Sequence, residues 1–194
     1  MITRTRLRAA LLAVSALTLA SCDAAEGSPE EPAASAAATT AAPRAAAVVG
    51  AAGSGCELPV TFGLEESWSP KAVTVDEDDP LAALAKRGPF TMACEIDAKP
   101  AGNIGFLRVW TAAAGEPRAA LEEFLGETVT EAAFTDIASG VEVSYQQDGE
   151  PERAFAVTTT DGLVAVSLDS FDDEEFQEML PAYALARDTL AVTG

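Results

Sequence analysis

From Cys56 onward, apolar and polar positions alternate with a period of two, broken by shorter stretches with a helical period. Val60, Phe62 and Leu64 fall on one face of a strand over 59–64; Glu65-Glu66-Ser67 turns the chain, and Trp68 with 71–75 predicts a second strand. Asp79 as N-cap and Pro80 at the first helical position predict a short helix, with Leu81 and Leu84 facing inward and Gly88 ending it. Residues 90–97 alternate again, placing Met92, Cys94 and Ile96 together. A Pro-, Gly- and Asn-containing turn over 99–103 joins them to a strand over 104–111, so the two form a hairpin. Residues 116–125 predict a helix with Pro117 in its first turn, Leu121, Phe124 and Leu125 as its apolar stripe, and Gly126 as its end. Strands over 141–147 and 153–160 flank a turn at 148–151, and Asp161-Gly162 reads as a tight two-residue turn into a strand over 163–168. A last helix over 171–190 carries Ser170 and Asp173 as a capping box, four acids in its first turn and Arg187 in its last. Pro181 kinks or splits it. The order ββα, ββα, βββα predicts the α+β class: a largely antiparallel sheet flanked by helices, in one domain over 56–194.

The first 55 residues follow other rules. Residues 23–55 contain 14 Ala and no Leu, Ile or aromatic residue, so they bury too little apolar area to offset the entropy of ordering. They predict a flexible tether. Ahead of it stand Arg4, Arg6 and Arg8, an apolar run over 9–20, and the tetrad Leu19-Ala20-Ser21-Cys22. The apolar run is too short to cross a bilayer as a helix and has the layout of a signal peptide. The tetrad resembles the lipobox of bacterial lipoproteins. That resemblance implies removal of residues 1–21 and a diacylglycerol thioether on Cys22, with acyl chains of the palmitate kind. It also implies a lipid-anchored protein on the extracytoplasmic face of the cell membrane.

Charge and chemistry narrow the function. After Cys22 the chain carries 9 basic against 31 acidic side chains, a formal −22, which repels nucleic acid. The absence of histidine removes Ser-His-Asp and Cys-His catalysis and the usual His-containing zinc sites. With Cys22 lipidated, Cys56 and Cys94 remain as a pair, and an oxidising compartment favours their disulfide.

Val60-Thr61-Phe62 followed by Trp68-Ser69-Pro70, with a final meander and long last helix, resembles PsbP-like domains. LpqN-like lipoproteins of actinobacteria share that order and a lipobox, and an Ala-rich, acid-rich composition fits a GC-rich actinobacterial genome. In the family a Gly precedes the Trp, where this chain has Ser67. The resemblance implies an α/β/α sandwich and a non-catalytic accessory or binding role, and it transfers no catalytic residue.

The candidate sites are few. Asp76-Glu77-Asp78-Asp79 offers hard oxygen ligands but lacks the spacing of a calcium loop, so a solvated loop is the plainer role. Residues 172–175 suit a helix start better than a ligand set. Trp68, Trp110, Tyr145 and Phe155 are candidates for a ligand groove or for core positions, with Trp110, near a strand end, the most exposed. The reading is a membrane-anchored extracytoplasmic lipoprotein whose domain binds a protein or envelope component without chemistry and without cofactor. A small-molecule carrier or sensor is the alternative.

Overall fold

The computed structural model describes residues 44–76, 78–80 and 82–193. Cys22, the lipobox and most of the tether lie outside them. The elements in order are β1 (Ala47–Val49), β2 (Val60–Leu64), β3 (Ser69–Ala72), β4 (Lys86–Arg87), β5 (Phe90–Asp97), β6 (Phe106–Ala112), α1 (Pro117–Leu125), β7 (Thr130–Ile137), β8 (Gly140–Gln147), β9 (Glu150–Thr158), β10 (Leu163–Asp169), α2 (Asp173–Thr189) and β11 (Ala191–Val192). The main sheet runs β3-β5-β6-β10-β9-β8-β7, with β4 also on β5, and every pairing is antiparallel. A small sheet, β1-β2-β11, is separate. The class is α+β, with two α-helices among the described residues.

Each face of the main sheet has its own core. On one face α2 and β2 pack together: Phe62, Leu64, Val109, Val166, Phe176, Met179 and Tyr183 are buried in one cluster. On the other, α1 sets Leu121 and Phe124 against Phe90, Trp110, Ala154 and Ala156. The two faces exchange residues at a bulge in β5. Met92 stands opposite Trp110, but Cys94 stands opposite Val109, leaving Ala93 as the extra residue. Phe90 and Met92 therefore serve the α1 face, while Cys94 and Ile96 serve the α2 face. Period-two alternation implied that Met92, Cys94 and Ile96 share a face, and the bulge overrides it. Beyond the bulge, Cys94 reaches Cys56 in a disulfide with a Cα–Cα distance of 5.9 Å. The bond ties the segment entering β2 to the main sheet.

Several expectations change. Order begins before residue 56: Ala47–Val49 pairs with β2 at Ala47↔Leu64 and Val49↔Phe62, so the end of the tether is an edge strand. Composition missed it because β2 supplies the partner groups that small residues need. The described residues of 79–88 form no α-helix, and Leu81, expected inward, lies outside them. A 3₁₀ turn at Ala82–Ala85 leads into β4, and Leu84 is 74% exposed rather than inward. Gly88 instead turns β4 into β5 with φ +52, so close to α1 that a Cβ would lie 2.6 Å from the Glu123 carbonyl carbon. β7 was invisible in the pattern because it is a mostly exposed edge strand, TEAAFTDI, without apolar alternation. The tight turn is Asp148-Gly149, both at positive φ (56° and 93°), and β9 starts at Glu150. Asp161-Gly162 sits in a longer loop closed by Thr159 N–H donating to the Gly162 carbonyl (2.8 Å). Asp172, not Ser170, caps α2, accepting from Glu175 N–H at 2.9 Å. The helix runs through Pro181 without splitting. Ser67 has φ +70, the left-handed region that favours glycine.

Candidate functional site

α1 has nine residues and shields only part of its face. The rest is closed by charged side chains from five strands. Arg108 on β6 donates from Nε to Glu95 Oε2 (3.1 Å) on β5 and from Nη1 to Asp169 Oδ2 (2.8 Å) on β10. Arg87 on β4 donates from Nη2 to Gln147 Oε1 (2.7 Å) on β8. Its Nη1 lies 3.7 Å from Asp169 Oδ1 and 3.9 Å from Glu152 Oε2 on β9. Strand register brings these groups together: Glu95↔Arg108, Arg108↔Ser167 and Tyr145↔Glu152 are direct cross-strand partners. Aromatic rings carry the arginines. The guanidinium carbon of Arg87 is 4.2 Å from the centroid of Phe124, and that of Arg108 is 4.8 Å from Phe106.

Two hydrogen-bonded chains enter this lattice from below. Trp110 Nε1–H donates to Ser167 Oγ (3.0 Å), whose hydroxyl donates to Asp169 Oδ2 (3.2 Å). The Tyr145 hydroxyl donates to Glu152 Oε2 (2.7 Å). Burial, and then the Asp169 charge, push the Glu152 carboxyl from 4.5 up to about 7, against the lowering effects of the Tyr145 bond, Arg87 and Arg108. Burial and the Glu152 charge push the Tyr145 phenol well above its ordinary value. Burial alone would lower the Arg108 pKa, but Asp169 and Glu95 outweigh it, so the guanidinium stays charged.

Above the lattice opens a pocket of about 490 Å³. Arg87, Arg108, Glu95 and Gln147 supply its polar wall; Val73, Leu84, Ala85, Met92 and the edge of Trp110 supply its apolar wall. The volume falls in the range of small-molecule sites, roughly 300–1,000 Å³.

The structure brings together two of the four candidate groove residues. Trp110 borders the pocket and Tyr145 lies beneath it in the lattice, though Trp110 is only 2% exposed, contrary to its expected exposure. It lies in the middle of β6–β10 pairing, opposite Ala165, under α1. Trp68 is buried in the α2-face core and belongs to no such site. Phe155 also packs there, edge-on to Tyr183 at 5.5 Å. In the loop 76–79, Asp78 N–H donates to Asp76 Oδ1 (3.1 Å), and among the described residues no group of three or more His, Cys, Asp or Glu side chains is arranged to hold a metal. Asp172 and Glu175 serve the helix start: Glu175 also accepts from Phe171 N–H (2.6 Å), Gly105 N–H (2.9 Å) and Ile104 N–H. Sequence reading missed Arg87, Arg108, Glu95, Glu152 and Asp169. Arg108 was detectable, since it stands between Phe106 and Trp110 on the same face of one strand.

A family model described as "Uncharacterised lipoprotein" matches residues 26–190. The chain belongs to this family. No curated protein matches the lipoprotein in sequence. Among solved structures, it is similar to the solution structure of cyanobacterial PsbP (CyanoP) from Synechocystis sp. PCC 6803. The TM-score is 0.45 at 12% identity, covering 69% of this chain and 86% of that one.

Proposed function

We propose that this is an actinobacterial lipoprotein, anchored through an acylated Cys22 to the extracytoplasmic face of the cell membrane, whose globular part binds a protein or envelope component without chemistry. Family membership supports the anchor, and the tetrad at 19–22 supplies its attachment point. The observation that carries the binding role is the half-uncovered sheet face, where an ionic lattice rather than a second helix walls an open pocket. Its ionic groups are tied to one another, which suits recognition more than proton transfer.

The test has two arms. Mass spectrometry of the membrane-extracted protein should find a diacylglyceryl Cys22 at the N-terminus, and Cys22→Ala should move the protein out of the membrane fraction. A different N-terminus ends the anchor reading. Cross-linking in intact cells should trap a partner that Arg108→Gln releases; a partner held equally by both forms places binding elsewhere. A second reading, a small-molecule carrier or sensor, is favoured by the pocket volume of about 490 Å³.

A further inference from the structure

We infer that the pocket over the Arg87–Arg108 lattice is a binding site for an apolar monocarboxylate, its carboxylate set between the two guanidiniums and its hydrocarbon part against Leu84, Val73 and Met92. The inference rests on the carrier or sensor reading. Its first support is the arrangement of the arginines. Both address the same carboxylate, Arg108 at Asp169 Oδ2 (2.8 Å) and Arg87 at Asp169 Oδ1 (3.7 Å), so they flank a group of carboxylate width.

The second support is the balance of donors. Arg108 uses Nε and Nη1 on Glu95 and Asp169, which leaves Nη2 without an acceptor among the described residues. Arg87 uses Nη2 on Gln147, while its Nη1 stands 3.7 and 3.9 Å from its nearest acidic oxygens, beyond hydrogen-bond reach. The Gln147 amide nitrogen adds further donors at the rim. The pocket thus presents spare donors and asks for acceptors, which a carboxylate supplies in bidentate form. Hydrocarbon adds the remaining contact: Leu84, 74% exposed, stands at the mouth with Val73, Ala85 and Met92 around it.

Charge sets how binding depends on pH. Around Glu152 stand Tyr145 on β8, Asp169 on β10, Arg87 on β4 and Arg108 on β6, with Glu95 on β5 paired to Arg108. An entering anion adds a negative charge beside a carboxyl already pushed up to about 7, so Glu152 takes up a proton as the ligand binds. Binding is strongest between about 5, above which the ligand's own carboxyl is ionised, and about 7, and weakens by up to about tenfold per pH unit above that.

The test uses octanoate as probe, with octylamine and octanol as controls, on the full chain carrying Cys22→Ser so that it stays unacylated. NMR follows the two indole N–H signals. Octanoate should shift the Trp110 signal saturably and leave Trp68, on the opposite face, in place. Arg108→Gln should weaken octanoate about tenfold or more. Glu152→Gln should bind it with the pH dependence removed, a readout that a merely structural role would not move. If octylamine saturates and octanoate does not, or if neither moves Trp110, the inference is overturned. A partner trapped in an Arg108-dependent way would then still support the broader binding reading.

Discussion

Replacing Glu152 by Gln should stabilise the protein at pH 8 and leave it nearly unchanged at pH 4.5. In the folded chain the carboxyl is raised from 4.5 to about 7 by burial and by Asp169, so the native state holds a proton that the unfolded state gives up. Its unfavourable contribution is absent below about 4.5, grows as pH rises, and is complete above about 7. At about 1.4 kcal/mol for each pH unit between those values, the full effect is about 3 kcal/mol. Glutamine keeps the shape and still accepts the Tyr145 hydroxyl hydrogen bond through its carbonyl oxygen. The assay is urea denaturation of both proteins at pH 5, 6, 7 and 8, taking the difference at each pH so that the other acids cancel. The difference should widen steadily in favour of the variant from pH 5 to pH 7 and then level off. A difference constant to within about 0.5 kcal/mol across the series would refute the reasoning, since Glu152 would then titrate alike folded and unfolded.

Removing the disulfide with Cys56→Ser and Cys94→Ser together should cost about 4 kcal/mol, given a sequence separation of 38, and reductant should then leave the denaturation midpoint of the variant unmoved. Phe124→Ala deletes the ring that meets Phe90 and Trp110 edge-on, at 5.8 and 5.3 Å, and carries Arg87. It should cost about 3–5 kcal/mol and shift the Trp110 indole N–H signal. Gly88→Val places a branched side chain at φ +52 against the backbone of α1, and should lower the thermal midpoint by several degrees more than the same change at the open Gly102.

Much of this fold was legible in the chain. Phe90–Asp97, Pro117–Leu125 and the final hairpins lie close to their predicted spans, because local alternation, a Pro at a helix start and the Asp148-Gly149 turn are properties of short stretches. The pairing of Cys56 with Cys94 was likewise legible by elimination once Cys22 was set aside. What failed locally failed for tertiary reasons. Ala47–Val49 is a strand only because β2 has a free edge, Thr130–Ile137 only because β8 does. The helix expected around Leu84 gives way to β4, whose hydrogen bonds to β5 hold Arg87 beside Asp169.

The sequence by itself determined the acidity, the lack of histidine and the α+β order, since each depends on composition or near neighbours. Only the tertiary structure decided the site. Arg87, Arg108, Glu95, Glu152 and Asp169 are scattered over some eighty residues and meet because strand register and one bulge put them on the same sheet face. One-dimensional pattern carries the period of a strand but not its partner, and the chemistry here lies between partners.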